Sequence, residues 1–134
     1  DAAVRLKLNP VRANLEGKRI VLVDDSIVRG TTSAKIVRML KQAGAKEVHM
    51  RISAPPFTHS CHFGTDIDSE ENLIANKMSI PEICQHIGAD SLGYISIKGL
   101  KEACHTSRAR FCTGCFSGEY PIDVGQDHHK NQFE

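Results

Sequence analysis

The run Ile20-Val21-Leu22-Val23 is continuously aliphatic and β-branched. Such a run predicts a strand buried on both faces, as in a parallel sheet. Apolar residues then recur at helical spacing, with Ile36, Val37, Leu40 and Ala43 on one face and Lys35, Arg38 and Gln42 opposite. Thr31 or Thr32 can cap the start of that helix, and Gly44 can stop it. Next, Val48, Met50 and Ile52 alternate with His49, Arg51 and Ser53, which predicts a strand with one face less buried. Strand, helix and strand within roughly thirty residues predict a right-handed βαβ unit.

Pro55-Pro56 ends the second strand, and residues 57–68 read as irregular. A short helix is predicted over about 70–75. Ser79 and Glu82 have capping-box spacing ahead of a stripe of Ile80, Ile83, Cys84 and Ile87, and Gly88 closes that helix. Residues 92–95 predict a short strand, and Ser96 can cap a helix carrying Ile97, Leu100 and Cys104. Residues 1–18 are polar and basic, broken by Pro10 and Gly17, and predict a lead-in loop. The polar stretch from Asp127 reads as a tail, His128-His129 included. The pattern divides the chain into a lead-in at 1–18, an α/β core at 19–100 and a C-terminal segment at 101–134.

A chain of 134 residues is enough for one domain with a real core. The net charge of +1 gives no basic excess for nucleic acid and no charge block for a membrane surface. No apolar run approaches the roughly 18 residues of a membrane span. No secretory signal is visible, although the chain begins at Asp1. The odd count of five cysteines suits a reducing compartment, with free thiols or a metal site.

The chemistry concentrates after the first strand. Asp24 and Asp25 stand where an open α/β sheet binds ligands, beyond the carboxyl ends of its strands. Carboxylates there accept hydrogen bonds from vicinal sugar hydroxyls and attract Mg²⁺. Gly30 permits a tight backbone, and Thr31, Thr32 and Ser33 supply hydroxyls and backbone N–H groups at a helix start, where phosphates bind. An acidic pair followed by a phosphate nest matches a ribose carrying a 5-phosphate. An isolated Gly-Thr-Thr-Ser would be no more than a helix cap; the whole run on a buried strand outweighs that alternative about tenfold. No Lys stands where a Walker loop needs one.

The run from Val21 to Ser33 resembles the phosphoribosyl-diphosphate (PRPP) signature of type I phosphoribosyltransferases. Its wording, Asp24-Asp25-Ser26-Ile27-Val28-Arg29-Gly30-Thr31-Thr32, is similar to the glutamine PRPP amidotransferase family. Lys7-Leu8-Asn9-Pro10, the stretches from Gly44 to His49 and from Ser53 to Pro56, and those from Glu71 to Ala75, Ile87 to Leu92 and Cys112 to Pro121 agree. The resemblance implies an α/β fold, part of a type I phosphoribosyltransferase with a Rossmann-like parallel sheet and a C-terminal helical segment. It implies an enzyme that converts glutamine, PRPP and water to phosphoribosylamine, glutamate and pyrophosphate, in the first step of purine synthesis. PRPP would be bound by Asp24, Asp25, Ser26, Ile27, Val28, Arg29, Gly30, Thr31, Thr32, Ser33 and Lys7, with Mg²⁺ at Asp24 and Asp25. Lys7 and Arg12 would lie near a loop that closes over substrate; plain surface charges are an equally good reading of both.

The family's glutaminase half, with its N-terminal cysteine nucleophile, is not in this sequence, so no catalytic nucleophile is assigned here. The resemblance further implies glutamine-derived ammonia as co-substrate, purine nucleotides as inhibitors, a homo-oligomer completed by the remainder of the enzyme, and a cytoplasmic location.

Cys112-x-x-Cys115 is a chelate pair suited to Zn²⁺ or to an iron–sulfur cluster. The family comparison implies a 4Fe-4S cluster on Cys61, Cys112 and Cys115, with its fourth ligand outside this chain. Cys84 and Cys104 read as packing. His59-x-x-His62 beside Cys61 leaves a zinc staple as a minor alternative. Two further alternatives are a purine-base phosphoribosyltransferase, opposed by the segment from Cys112 to Pro121, and a PRPP-binding regulatory protein, for which the near-neutral charge offers no nucleic-acid surface.

Overall fold

The computed structural model describes residues 11–67, 69–104 and 111–123. Expectations for Lys7 and for the tail from Asp127 lie outside those residues. Helix α1 (Arg12–Leu15) is a single turn where a loop was expected, tied at its end by Glu16 N–H to Arg12 C=O. Three strands follow, β1 (Arg19–Asp24), β2 (Glu47–Ile52) and β3 (Ser91–Tyr94), all parallel in the order β1-β2-β3. Helix α2 (Thr31–Gln42) joins β1 to β2, and α3 (Ile80–Ile87) precedes β3. Two short helices, α4 (Ile97–Ala103) and α5 (Gly114–Ser117), complete the order.

The main core lies between one face of the sheet and helices α2 and α3. Val48, Met50 and Ile52 of β2 meet Val37 and Leu40 of α2 and Ile83 and Ile87 of α3 there. The β2 alternation is as expected. The expectation for β1 is not met: its exposure alternates, with Val21 64% and Val23 68% exposed. Among the described residues β1 is an edge strand, and the helices cover only the face that carries Ile20 and Leu22. On the other face, polar residues bind across strands. Glu47 accepts from Arg19, and His49 bridges Glu47 (2.9 Å) and Ser91 Oγ (2.8 Å).

The α3 capping box forms as its spacing predicts, with Glu82 accepting from the Ser79 backbone N–H at 2.7 Å. Gly88 closes α3 at φ 74° and Gly44 follows α2 at φ 101°. Ser96 caps α4 by accepting from Gly99 N–H at 3.0 Å. Ile80, in contrast, is 42% exposed: it sits at the first position of α3, before the stripe turns inward. The helix expected over 70–75 is instead two 3₁₀ turns, Glu70–Asn72 and Ile74–Asn76. Leu73 between them is extended (φ −73°, ψ 121°) and fully buried, because its side chain is drawn into a second apolar cluster.

Tyr94 ends β3 with its hydroxyl buried and unpartnered among the described residues. Burial pushes its pKa up to about 12. A raised folded-state value means stability is intact below about pH 10, the unfolded value, and declines as pH rises towards 12. Tyr94→Phe is expected to lose that alkaline decline. At neutral pH it should be unchanged or stabilised by up to about 1 kcal/mol, since an unmet hydroxyl costs more than it returns. Urea melts of both proteins at pH 7 and pH 11 check this, and a destabilised Phe variant at pH 7 would show that the hydroxyl has a partner.

Candidate functional site

Strand β1 ends in Asp24, and its carbonyl is fixed by Ser53, whose backbone N–H donates at 3.0 Å and whose hydroxyl donates at 3.2 Å. The chain then leaves the sheet. Asp24 Oδ1 accepts from the Asp25 backbone N–H (3.0 Å), and Asp25 Oδ1 accepts from the Ser26 hydroxyl (3.1 Å). Among the described residues neither carboxylate is held in an ion pair. Both remain available to a ligand.

The loop between the acidic pair and α2 is pinned from two sides. Ile27, 3% exposed, enters the main core. Its neighbour Val28 packs on the second cluster, and Val28 C=O accepts from Ile74 N–H at 2.9 Å. Gly30 then caps α2 at φ 79°, ψ −11°, a left-handed conformation that L side chains rarely adopt. The expected Thr31 or Thr32 cap is absent, since helical geometry begins at Thr31 itself and the cap position falls on a residue with no side chain. The first helical bond runs from Ala34 N–H to Gly30 C=O (2.9 Å). The amides of Thr31, Thr32 and Ser33 therefore have no helical acceptor and sit at the positive end of the helix dipole.

A cavity of about 590 Å³ opens at this point, lined by every residue from Asp24 to Ser33 together with Ile36 and Asp66. All the contiguous residues assigned to ligand binding from sequence share one concavity. Two lining residues were not foreseen. Ile36 belongs to the apolar stripe of α2 and was assigned to the core. Asp66 comes from the irregular stretch after β2, and nothing in its local sequence signals the cavity. Arg12 lies elsewhere, in an exposed pair with Glu16 at 3.7 Å.

The cysteine-bearing segments meet on the second cluster, whose buried members are Phe57, Ile67 and Leu73. Cys61, Cys115, Phe116 and Val28 pack against them. Cys115 C=O accepts from the Thr58 and His59 backbone N–H groups (3.0 and 3.1 Å), the Thr58 hydroxyl donates to Phe116 C=O (3.1 Å), and the Tyr120 hydroxyl donates to Ser60 C=O (2.7 Å). The Tyr120 ring lies over Gly114, where a Cβ would meet it at 2.3 Å. Burial pushes the Cys115 thiol up, and the neighbouring Cys61 and Cys112 add to the rise. Cys84 is half-buried, its thiol donating to Ala89 C=O at 3.3 Å, as a packing role predicts. Cys104 is also half-buried, at the end of α4.

Among the described residues no group of three His, Cys, Asp or Glu converges tightly enough to hold a single metal ion. The zinc set of His59, Cys61 and His62 is thus not assembled. His59 bonds with the Thr58 hydroxyl (2.9 Å), and the His62 ring packs edge-on against Tyr120 at 4.9 Å. Cys61, Cys112 and Cys115 form no such group either, although Cys61 and Cys115 pack on one cluster and Cys112 lies near enough to influence the Cys115 thiol.

The chain is 55% identical over 97% of its length to "Amidophosphoribosyltransferase 2, chloroplastic" of Arabidopsis thaliana. It is 52% identical over 95% of its length to the amidophosphoribosyltransferase of Synechococcus elongatus. It spans 23% and 26% of those two proteins. A solved glutamine PRPP amidotransferase from B. subtilis, complexed with ADP and GMP, superposes with a TM-score of 0.80 at 46% identity, covering 95% of this chain and 30% of that one. No family model matches the chain. Among the described residues no helix is long and apolar enough to cross a membrane.

Proposed function

We propose that this chain supplies the PRPP-binding part of an amidophosphoribosyltransferase, on the premise that it belongs to that family across the segment it spans. The supporting observation is the shared cavity, lined both by two carboxylates that have no ion pair among the described residues and by a helix N-terminus with no side-chain cap. The carboxylates of Asp24 and Asp25 accept the ribose hydroxyls. The amides of Thr31, Thr32 and Ser33, with their hydroxyls, donate to the 5-phosphate. Ile36 gives the sugar an apolar wall.

The reaction would be displacement of pyrophosphate from the anomeric carbon by ammonia derived from glutamine. Positive charge builds on the sugar ring as the bond lengthens, and a ribose fixed at both ends keeps the breaking bond aligned for attack. Magnesium, when bound, neutralises the leaving group, and Asp24 and Asp25 are the residues whose donor chemistry fits it. Purine nucleotides are the expected inhibitors, since the B. subtilis relative was solved with two of them. The cytoplasm is the compartment we propose, on the family resemblance and on an odd count of five cysteines that suits a reducing compartment, although the plant relatives are named chloroplastic. Glutamine-dependent pyrophosphate release by the full-length protein tests the assignment. Release of pyrophosphate only with a purine base would instead identify a purine-base transferase.

Cys61, Cys112 and Cys115 are the residues that would hold a 4Fe-4S cluster, with a fourth ligand elsewhere in the protein. A bound cluster supplies crosslinks between segments that bury few apolar side chains of their own. Full-length protein purified without oxygen is expected to be brown, with about four iron and four sulfide per chain. Cys115→Ser should lower both. Colourless protein that carries zinc would refute this assignment.

A further inference from the structure

We infer that Phe116 is a positioning residue for the sugar-phosphate loop, acting through the second apolar cluster rather than by touching ligand. The loop straddles two cores, with Ile27 in the main core and Val28 on the cluster of Phe57, Ile67 and Leu73. Consecutive side chains drawn to opposite sides fix the backbone between Asp25 and Gly30 more firmly than either core alone. Phe57 is 8% exposed, and the Phe116 ring covers it with ring centroids 4.9 Å apart. Phe116 is held there by its carbonyl, which accepts from the Thr58 hydroxyl at 3.1 Å, and by the Cys115 carbonyl beside it, which accepts from two amides of the 58–59 turn.

The same cluster reaches the ligand cavity at a second point. Ile67, 3% exposed, anchors the chain next to Asp66, which lines the cavity. The cluster that Phe116 covers therefore supports the site at two points, the loop through Val28 and the Asp66 segment through Ile67. The main core of α2, α3 and the sheet contains none of these cluster residues. Truncation of Phe116 should loosen the loop before it loosens the fold.

The experiment uses the full-length protein. Phe116→Ala is expected to raise the PRPP dissociation constant about tenfold, as small displacements of positioning groups do. Its thermal midpoint should fall only modestly. Phe116→Leu, which refills most of the volume, should restore most of the affinity. Phe111→Ala, at an exposed aromatic on the same segment, should change neither quantity. The affinity measurements rest on the PRPP assignment, so a second readout is independent of any ligand. Amide hydrogen exchange at the two N–H groups that hold the loop, Ile74 on Val28 C=O and Ala34 on Gly30 C=O, should be about tenfold faster in Phe116→Ala while exchange in β2 is unchanged.

Wild-type protein that fails to bind PRPP would sink the assignment, and the exchange data would still decide the role of Phe116. Unchanged exchange in the loop, or equal acceleration in loop and β2, would overturn the inference. If Phe116→Ala does not fold, a double-mutant cycle of Val28→Ala with Phe116→Leu decides the matter. Non-additive effects on loop exchange support coupling, and additive effects refute it.

Discussion

Replacing Gly30 with alanine is expected to weaken PRPP binding by at least about tenfold and to lower the thermal midpoint, the largest effect of any single methyl group in the site. Two independent penalties meet at this position. The backbone sits at φ 79°, where a Cβ costs roughly 1–3 kcal/mol. A Cβ built there would also lie 2.8 Å from Ile74 Cδ1, with His86 and Ile87 behind at 3.5 and 3.6 Å. Ile74 is 4% exposed, so its side chain has little room to retreat.

Relief would come from moving the loop or from unwinding the first turn of α2. Either change displaces the amides of Thr31, Thr32 and Ser33, which on the proposed assignment donate to the phosphate. Calorimetric titration of PRPP with Mg²⁺ into the full-length variant, alongside a thermal melt, checks both effects. Wild-type affinity in Gly30→Ala would show that the phosphate does not bind at this helix start.

The second large effect is expected from the acidic pair. Asp24→Asn and Asp25→Asn should each reduce Mg²⁺-dependent PRPP turnover by roughly a hundredfold, while the unfolding free energy stays within about 0.5 kcal/mol of wild type. The asymmetry follows from the surroundings. Within the described residues neither carboxylate balances a buried cation, so removing its charge leaves nothing unpaired in the fold. On the proposed assignment, what is lost is the acceptor for the sugar hydroxyls and the negative charge that would meet the metal. An amide can still accept one hydrogen bond, so some affinity for the sugar should survive while the response to Mg²⁺ flattens. Turnover measured across a Mg²⁺ series separates the two contributions. Turnover equal to wild type in either variant would remove that residue from the site.

Much of this site is local in the chain, which is why a linear reading reaches it. The order of strand, acidic pair, glycine and hydroxyl residues encodes the position of each group, because the end of a parallel strand and the start of the next helix lie close together in space. The capping box at Ser79 and Glu82, the closing glycines at 44 and 88 and the cap at Ser96 are legible for the same reason. Each depends on backbone groups only a few residues away.

The features that escape the sequence depend on partners far along the chain. An aliphatic run at 20–23 specifies a strand but not what covers it, so the exposure of Val21 and Val23 is decided by the helices, which among the described residues cover only the face of Ile20 and Leu22. Asp66 enters the cavity because Ile67 is captured by the second cluster, an event its own neighbourhood does not announce. Likewise, the spacing of Cys112 and Cys115 says that they can act together, whereas the meeting with Cys61 requires the carbonyls and aromatic rings that dock 112–120 onto 57–63. Local hydrogen bonding and periodicity thus determined the elements and the composition of the ligand loop. Burial of side chains from distant segments, which depends on the whole chain, decided what lies beneath that loop and which distant residue joins its cavity.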